Sequence, residues 1–240
     1  MNKEKLLYEN SKHALQSDNI IAITNRHLCS RPFMEQLERV CKLHPHAIVL
    51  REKDMPEAEY LSLARDVIAL CKKYDVQCML HSFINVAMEL EHPYIHLPLP
   101  ILEAYVKKNM SGNISTGMSK STDNYQQFFK VIGTSVHSVE DAIKAEQLGA
   151  TYMTAGHIFA TDCKKGLPPR GLDFLKNVCD AVGIPVYAIG GINIASSDDS
   201  TASDAPPAYD AMPDISVPRL AEVMECGAAG GCIMSGMMRV

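Results

Sequence analysis

Short runs of consecutive apolar residues alternate along the chain with longer stretches in which apolar residues recur every three or four positions. The runs are "IIAIT" (20–24), "AIVLR" (47–51), "QCML" (77–80), "YIHL" (94–97), "VIGTS" (131–135), "TYMTA" (151–155), "PVYAI" (185–189) and "GCIM" (231–234). They are mostly apolar rather than alternating, which predicts strands buried on both faces and hence a parallel sheet. Helical spacing fills most of the gaps. "PEAEYLSLARDVIALCKKY" (56–74) puts Leu61, Ala64, Ile68 and Cys71 on one face, with Pro56 as a first-turn proline. "SVEDAIKAEQLGA" (138–150) opens with Ser138 three residues before Asp141, a capping-box variant, and closes at Gly149. "SVPRLAEVMECGA" (216–228) predicts the same design between Ser216 and Gly227.

Eight βα units in 240 residues predict an α/β fold, a (β/α)8 TIM barrel forming a single domain over 1–240. The competing architecture is an open doubly wound sheet. The residues after the first strand, "TNRHLCS", lack the glycines that a dinucleotide-binding turn needs. Two polar stretches interrupt the rhythm, 107–124 and the acidic, Pro/Ala/Ser-rich 195–214. The second reads as an insertion after strand seven, on the catalytic face, either a solvated excursion or a lid. Only "SGMMRV" follows the eighth strand, so the eighth helix is missing or truncated. Its place is then covered by the N-terminal "EKLLYENSKHALQ" helix, by a second copy in a homodimer, or by nothing in a truncated copy.

A net charge of -5 gives no reason to expect nucleic acid or an anionic membrane as partner. No stretch approaches the roughly 18 apolar residues of a membrane span, and no signal peptide is evident. The eight cysteines, at 29, 41, 71, 78, 163, 179, 226 and 232, include no CxxC pair and read as free thiols of a cytoplasmic protein.

Barrel enzymes carry their chemistry at the carboxyl ends of the strands. Strand two ends in Arg51 and Lys53, two residues apart and so pointing the same way, a pocket for a carboxylate or phosphate. Strands three and four end beside His81 and His96, which read as packed structural residues. Strand five ends in Ser135, with His137 just before the Ser138 cap. Strand six runs into "TAGHIFATDCKKGLPPRGL", where His157, Thr161, Lys164 and Lys165 come within reach of a substrate. Strands seven and eight end in Gly190–Gly191 and Ser235–Gly236, whose backbone N–H groups suit a phosphate. Strands three and four offer His81, Ser82, Pro98 and Leu99 with no carboxylate, so no metal or other cofactor is expected.

The segments "VLREKD", "IGTSVHSVEDAIKAEQLGATYM", "GHIFATDCKKGLPPRGL", "IPVYAIGGIN" and "CIMSGMM" resemble the thiamine phosphate synthase superfamily, and within it the TenI branch of thiazole tautomerases. The resemblance spans residues 18 to 236 apart from the two polar stretches. For the synthase branch it implies Mg²⁺ held by aspartates after strands three and four, where this chain has Ser82 and Ile101. For the tautomerase branch it implies a metal-free proton shift that aromatises a carboxylated dihydrothiazole ethyl phosphate. The resemblance makes His137 the acid/base, with Arg51, Lys53 or Lys164 on the substrate carboxylate. Ser135, His157 and Thr161 would be further substrate contacts, and the phosphate of the thiazole ligand would rest on Gly190, Gly191, Ser235 and Gly236. The rival readings are a thiamine phosphate synthase and a non-catalytic thiazole phosphate-binding relative.

Overall fold

A computed structural model describes residues 19–112, 128–161, 164–195 and 216–240. Eight parallel strands close into a barrel in sequence order: β1 (Ile20–Ile23), β2 (Ala47–Leu50), β3 (Gln77–His81), β4 (Tyr94–Pro98), β5 (Val131–Val136), β6 (Tyr152–Gly156), β7 (Val186–Ile189) and β8 (Gly230–Ile233). All eight apolar runs thus become strands, and the barrel rather than the open sheet is the architecture. A helix follows each of the first seven: α1 (Phe33–Lys42), α2 (Glu57–Lys73), α3 (Ile84–Glu89), α4 (Leu99–Gly112), α5 (Val139–Gln147), α6 (Gly171–Ala181) and α7 (Leu220–Glu225).

The strands are apolar on both faces because both faces are buried. Ile21, Ile23, Ala47, Val49, Met79, Tyr152, Tyr187 and Cys232 fill the barrel interior. Their neighbours Ala22, Ile48, Leu50, Cys78, Leu80, Met153 and Ala155 pack outward with the helices. Gly133 is paired with Tyr152, and a Cβ on Gly133 would overlap the Tyr152 ring. The glycine gives the tyrosine its place inside the barrel. The inward parity continues past the strand ends, so Arg51, Ser135 and His137 share the interior side with Val49 and Val131.

Local chemistry at the helix termini is as expected at Ser138, Gly149 and Gly227, the last with φ +92°, and differs at Pro56 and Ser216. Ser138 Oγ accepts from the Asp141 N–H at 3.0 Å, and Gly149 adopts φ +87° after α5. Pro56 stands one position earlier than a first-turn proline, as the N-cap of α2. Ser216 does not cap α7. It precedes the helix by four residues and its carbonyl accepts from the Ala195 N–H at 2.7 Å, while Arg219 takes the cap position. That bond ties together the two ends of the 195–214 insertion, whose residues 196–214 lie outside the described ones. The polar stretch from 107 begins as the last turns of α4, and 113–127 lie outside the described residues.

After β8 the chain forms turns instead of a helix. Met237 and Met238 are buried there. Gln36, buried on α1, donates from Nε2 to the carbonyl oxygens of Met237 at 2.7 Å and Val240 at 3.1 Å. Arg39 and Arg31 donate to Val240 as well. The segment after β8 is thus fastened to α1 and the loop before it. The proposed N-terminal covering helix lies outside the described residues. The seven described cysteines are free thiols. No helix among the described residues is long and apolar enough to cross a membrane.

Candidate active site

The carboxyl end of the barrel gathers cations. Lys53 has its pKa lowered, by desolvation first and then by Arg51 and Lys164. Arg51, at the β2 end, and Lys164, in the β6 loop, thus both act on Lys53. Their field reaches inward. Buried His81 is pushed down to about 2 and buried His96 to about 3, mainly by desolvation, with Arg51 and Lys53 adding to the shift in both. Such a concentration of positive charge over a buried floor suits an anion.

The cations stand on a carboxylate. Glu52, 2% exposed, points away from the mouth. It accepts from Thr24 Oγ1 at 2.7 Å, from the Arg26 N–H and from Arg26 Nη1 at 3.0 Å. Thr24 Oγ1 in turn accepts from the Arg51 N–H at 2.8 Å. Arg26 also pairs with Asp54 at 2.7 Å, and Arg26 and His27 hold the Asp54 carboxyl well below the usual carboxylate range. The β1 and β2 ends are locked by this cluster, and Arg51 and Lys53 are left facing the mouth.

The floor is a hydrogen-bonded chain. His96 Nδ1 lies 2.8 Å from the Tyr152 hydroxyl and its Nε2 2.9 Å from Ser135 Oγ. Thr154 Oγ1 donates to Ser135 Oγ at 3.0 Å. His81 stacks on His96, ring centroids 5.7 Å apart, and its Nδ1 meets Ser82 Oγ at 2.8 Å. The Tyr60 hydroxyl accepts from the His81 N–H at 2.9 Å and donates to the Leu50 carbonyl at 2.6 Å, fixing the ends of β2 and β3 together.

His137 sits at the rim, exposed. Its Nδ1 lies 2.8 Å from the carbonyl oxygen of Gly156, one strand across. A carbonyl can only accept, so Nδ1 carries a proton, and the tautomer this selects has its lone pair on Nε2. The imidazole is held to the scaffold through one ring nitrogen.

The glycine-rich ends of β7 and β8 lie side by side. Gly190 and Gly191 have φ of +99° and +71°. Cβ atoms there would press on His157 and on Phe159 and the Ala160 carbonyl. Among the described residues, neither amide N–H is used in a turn or loop hydrogen bond. Ser235 Oγ reaches Asn193 Oδ1 at 3.4 Å, which brings Ser235 and Gly236 to the same loop. Arg219, at the start of α7, donates to the Gly191 carbonyl at 2.9 Å and lies 4.3 Å over the Phe159 ring.

His157 faces its own loop: its Nε2 is 3.4 Å from the Leu167 carbonyl and its backbone carbonyl accepts from the Arg170 N–H. Thr161 accepts through its carbonyl from the Lys164 N–H. These contacts shape the wall of the mouth. Among the described residues, no group of three or more His, Cys, Asp or Glu side chains could hold a metal ion. Ser82 is engaged by His81, and Ile101 packs on the apolar core, so the positions where the resemblance expects magnesium-binding aspartates do not fit a divalent cation.

The profile of a family described as thiamine monophosphate synthase matches residues 20–208. The chain belongs to the thiamine phosphate synthase/TenI family. It is 34% identical over 178 residues to a putative thiamine-phosphate synthase 2 of Aquifex aeolicus, covering 74% of this chain and 87% of that one. It is 30% identical over 175 residues to a thiamine-phosphate synthase of Caldanaerobacter subterraneus, covering 72% and 75%. Among solved structures, thiamine phosphate pyrophosphorylase from Pyrococcus furiosus superposes with a TM-score of 0.66 at 26% identity, over 94% of this chain and 89% of that one.

Sequence reasoning named Arg51, Lys53, Ser135, His137, His157, Thr161, Lys164, Gly190, Gly191, Ser235 and Gly236, all of which stand at or just beyond the carboxyl ends of the strands. It missed Glu52, Tyr60, Tyr152, Thr154 and Arg219. Tyr152 and Thr154 carried a usable signal: they precede Gly156 at two-residue steps and so share its inward face.

Proposed function

We propose that the protein is a thiazole tautomerase of thiamine biosynthesis, aromatising a carboxylated dihydrothiazole ethyl phosphate without a metal. The observation that carries this reading is the His137–Gly156 bond, which leaves Nε2 free as a base at the barrel mouth. The substrate carboxylate pairs with the Arg51, Lys53 and Lys164 cluster, and the phosphate takes the amides of Gly190, Gly191, Ser235 and Gly236. His137 Nε2 removes the proton from ring C2. The electron pair moves through the ring into the exocyclic double bond, and the imidazolium returns its proton to the exocyclic carbon. One proton leaves carbon and one is delivered, so the reaction is an isomerisation needing no co-reactant.

The names of the curated relatives favour a second reading, a thiamine phosphate synthase joining a pyrimidine pyrophosphate to thiazole phosphate. The cation cluster would serve that reaction too. Against it stand Ser82 and Ile101, which leave a departing pyrophosphate without carboxylate-held magnesium. Two assays on the parent protein separate the readings. Aromatisation of the dihydrothiazole in EDTA, followed by absorbance, supports the tautomerase. Pyrophosphate release from the pyrimidine substrate with Mg²⁺, and no aromatisation, overturns it. Binding of the thiazole phosphate with neither activity would leave the non-catalytic relative.

A further inference from the structure

Ser135 stands at the boundary between the buried floor and the mouth, and the hydrogen-bond inventory around it fixes which way its proton points. His96, Tyr152 and Thr154 are all buried. The Tyr152 hydroxyl has one hydrogen-bond partner among the described residues, His96 Nδ1 at 2.8 Å. Two arrangements of the chain are open. In the first, the tyrosine donates to Nδ1, Nε2–H donates to Ser135 Oγ, and Thr154 donates to the same oxygen. In the second, Nδ1–H donates to the tyrosine oxygen and Ser135 donates to Nε2. The second leaves the buried Tyr152 O–H with no acceptor, and a buried orphan donor bears its full desolvation penalty. The first satisfies every buried donor.

From this we infer that Tyr152 and Thr154 are positioning residues which, through the Nε2–H tautomer of His96, make Ser135 an obligate hydrogen-bond donor into the barrel mouth. Two incoming bonds fill the acceptor side of Ser135 Oγ, so its own proton is the only valence left for a ligand. Whatever sits there must accept. Arg51 and Lys53 continue the inward parity of β2 as Ser135 does that of β5, so the accepting atom is an anionic oxygen. Resting on the tautomerase reading, it is the substrate carboxylate, held by one neutral donor and two cations. A relay of neutral groups suits this place, because a charged imidazole is excluded by burial and by those cations. The device selects ligands with an acceptor at that point and rejects isosteres that present a donor, such as a primary carboxamide with its N–H₂ turned toward Ser135.

The test reads the tautomer directly in the unliganded protein, so it does not depend on turnover. Protein carrying ¹⁵N-labelled histidine is examined by two-bond ¹H–¹⁵N correlation, with His96 assigned from the His96→Gln variant. The inference predicts a protonated Nε2 and an unprotonated Nδ1. A protonated Nδ1 overturns it, whatever the enzyme's activity. In Tyr152→Phe the bond that fixes the tautomer is gone, so both forms appear. The KM for the carboxylated dihydrothiazole phosphate then rises about tenfold with kcat changed less than about threefold, because a ground-state and transition-state contact is lost equally. If that variant does not fold, Thr154→Val keeps the arm open: Ser135 gains a free acceptor site and the same KM effect is expected. A correct tautomer in a protein that never aromatises the thiazole would retain the relay and remove the tautomerase reading, whereas turnover with a protonated Nδ1 would do the reverse.

Discussion

The imidazoles of His81 and His96 stack nearly parallel, with centroids 5.7 Å apart and planes inclined by 13°, on adjacent strands at the base of the mouth. Both are buried and neutral, with pKa values lowered to about 2 and about 3 by desolvation and the neighbouring cations. In the unfolded chain each titrates near 6.5. Below that pH the unfolded state binds more protons than the folded one, so stability is complete above about pH 6.5 and is lost as pH falls toward 3. Each histidine contributes a slope of up to about 1.4 kcal/mol per pH unit in that window. Urea unfolding between pH 7 and 4 should show this decline, and His96→Gln should make it shallower.

Tyr60 joins β2 to β3 by holding the Leu50 carbonyl and the His81 N–H at once. Tyr60→Phe leaves both buried groups without their partner. The expected loss is roughly 1–3 kcal/mol in unfolding free energy. A change within error would show that water takes over the bridge.

Gly133→Ala should be costly although alanine is small. The new Cβ would overlap the Tyr152 ring in the barrel interior, where overpacking costs about 1–3 kcal/mol. The tyrosine must move, so the His96 contact should be disturbed as well. Thermal unfolding reads the first effect and the His96 ring resonances the second.

Arg51→Met removes a cation from the mouth while the Glu52 anchor remains on Thr24 and Arg26. Fold stability should change little. The KM for the carboxylated substrate should rise about ten- to a hundredfold, the worth of a charge-assisted hydrogen bond. The assay is the absorbance change on aromatisation, run beside unfolding curves.

Much of this architecture was legible in the sequence, because a barrel strand buried on both faces leaves an uninterrupted apolar run. The candidate residues at strand ends were proposed from parity, as with Arg51 and Lys53. Glu52 escaped for the same reason. It sits between two cations on the opposite parity, where a carboxylate looks solvated, and its partners Thr24 and Arg26 come from another strand. Gln36 escaped likewise, since only the folded terminus supplies its acceptors. Ser216 misled because a serine before a helical pattern signals a cap, whereas here its backbone is tied to Ala195. Pairings across strands are set by closure of the barrel, which no local pattern encodes.

The account places a single base, His137, at the centre of the reaction. Its most direct test is the single-turnover rate of dihydrothiazole aromatisation in EDTA, measured for the parent and for His137→Gln. Glutamine keeps a donor for the Gly156 carbonyl and removes the titratable lone pair. The account predicts a rapid parent reaction and a loss of about a hundredfold or more in the variant, the usual contribution of a positioned general base. Equal rates in the two proteins would contradict it.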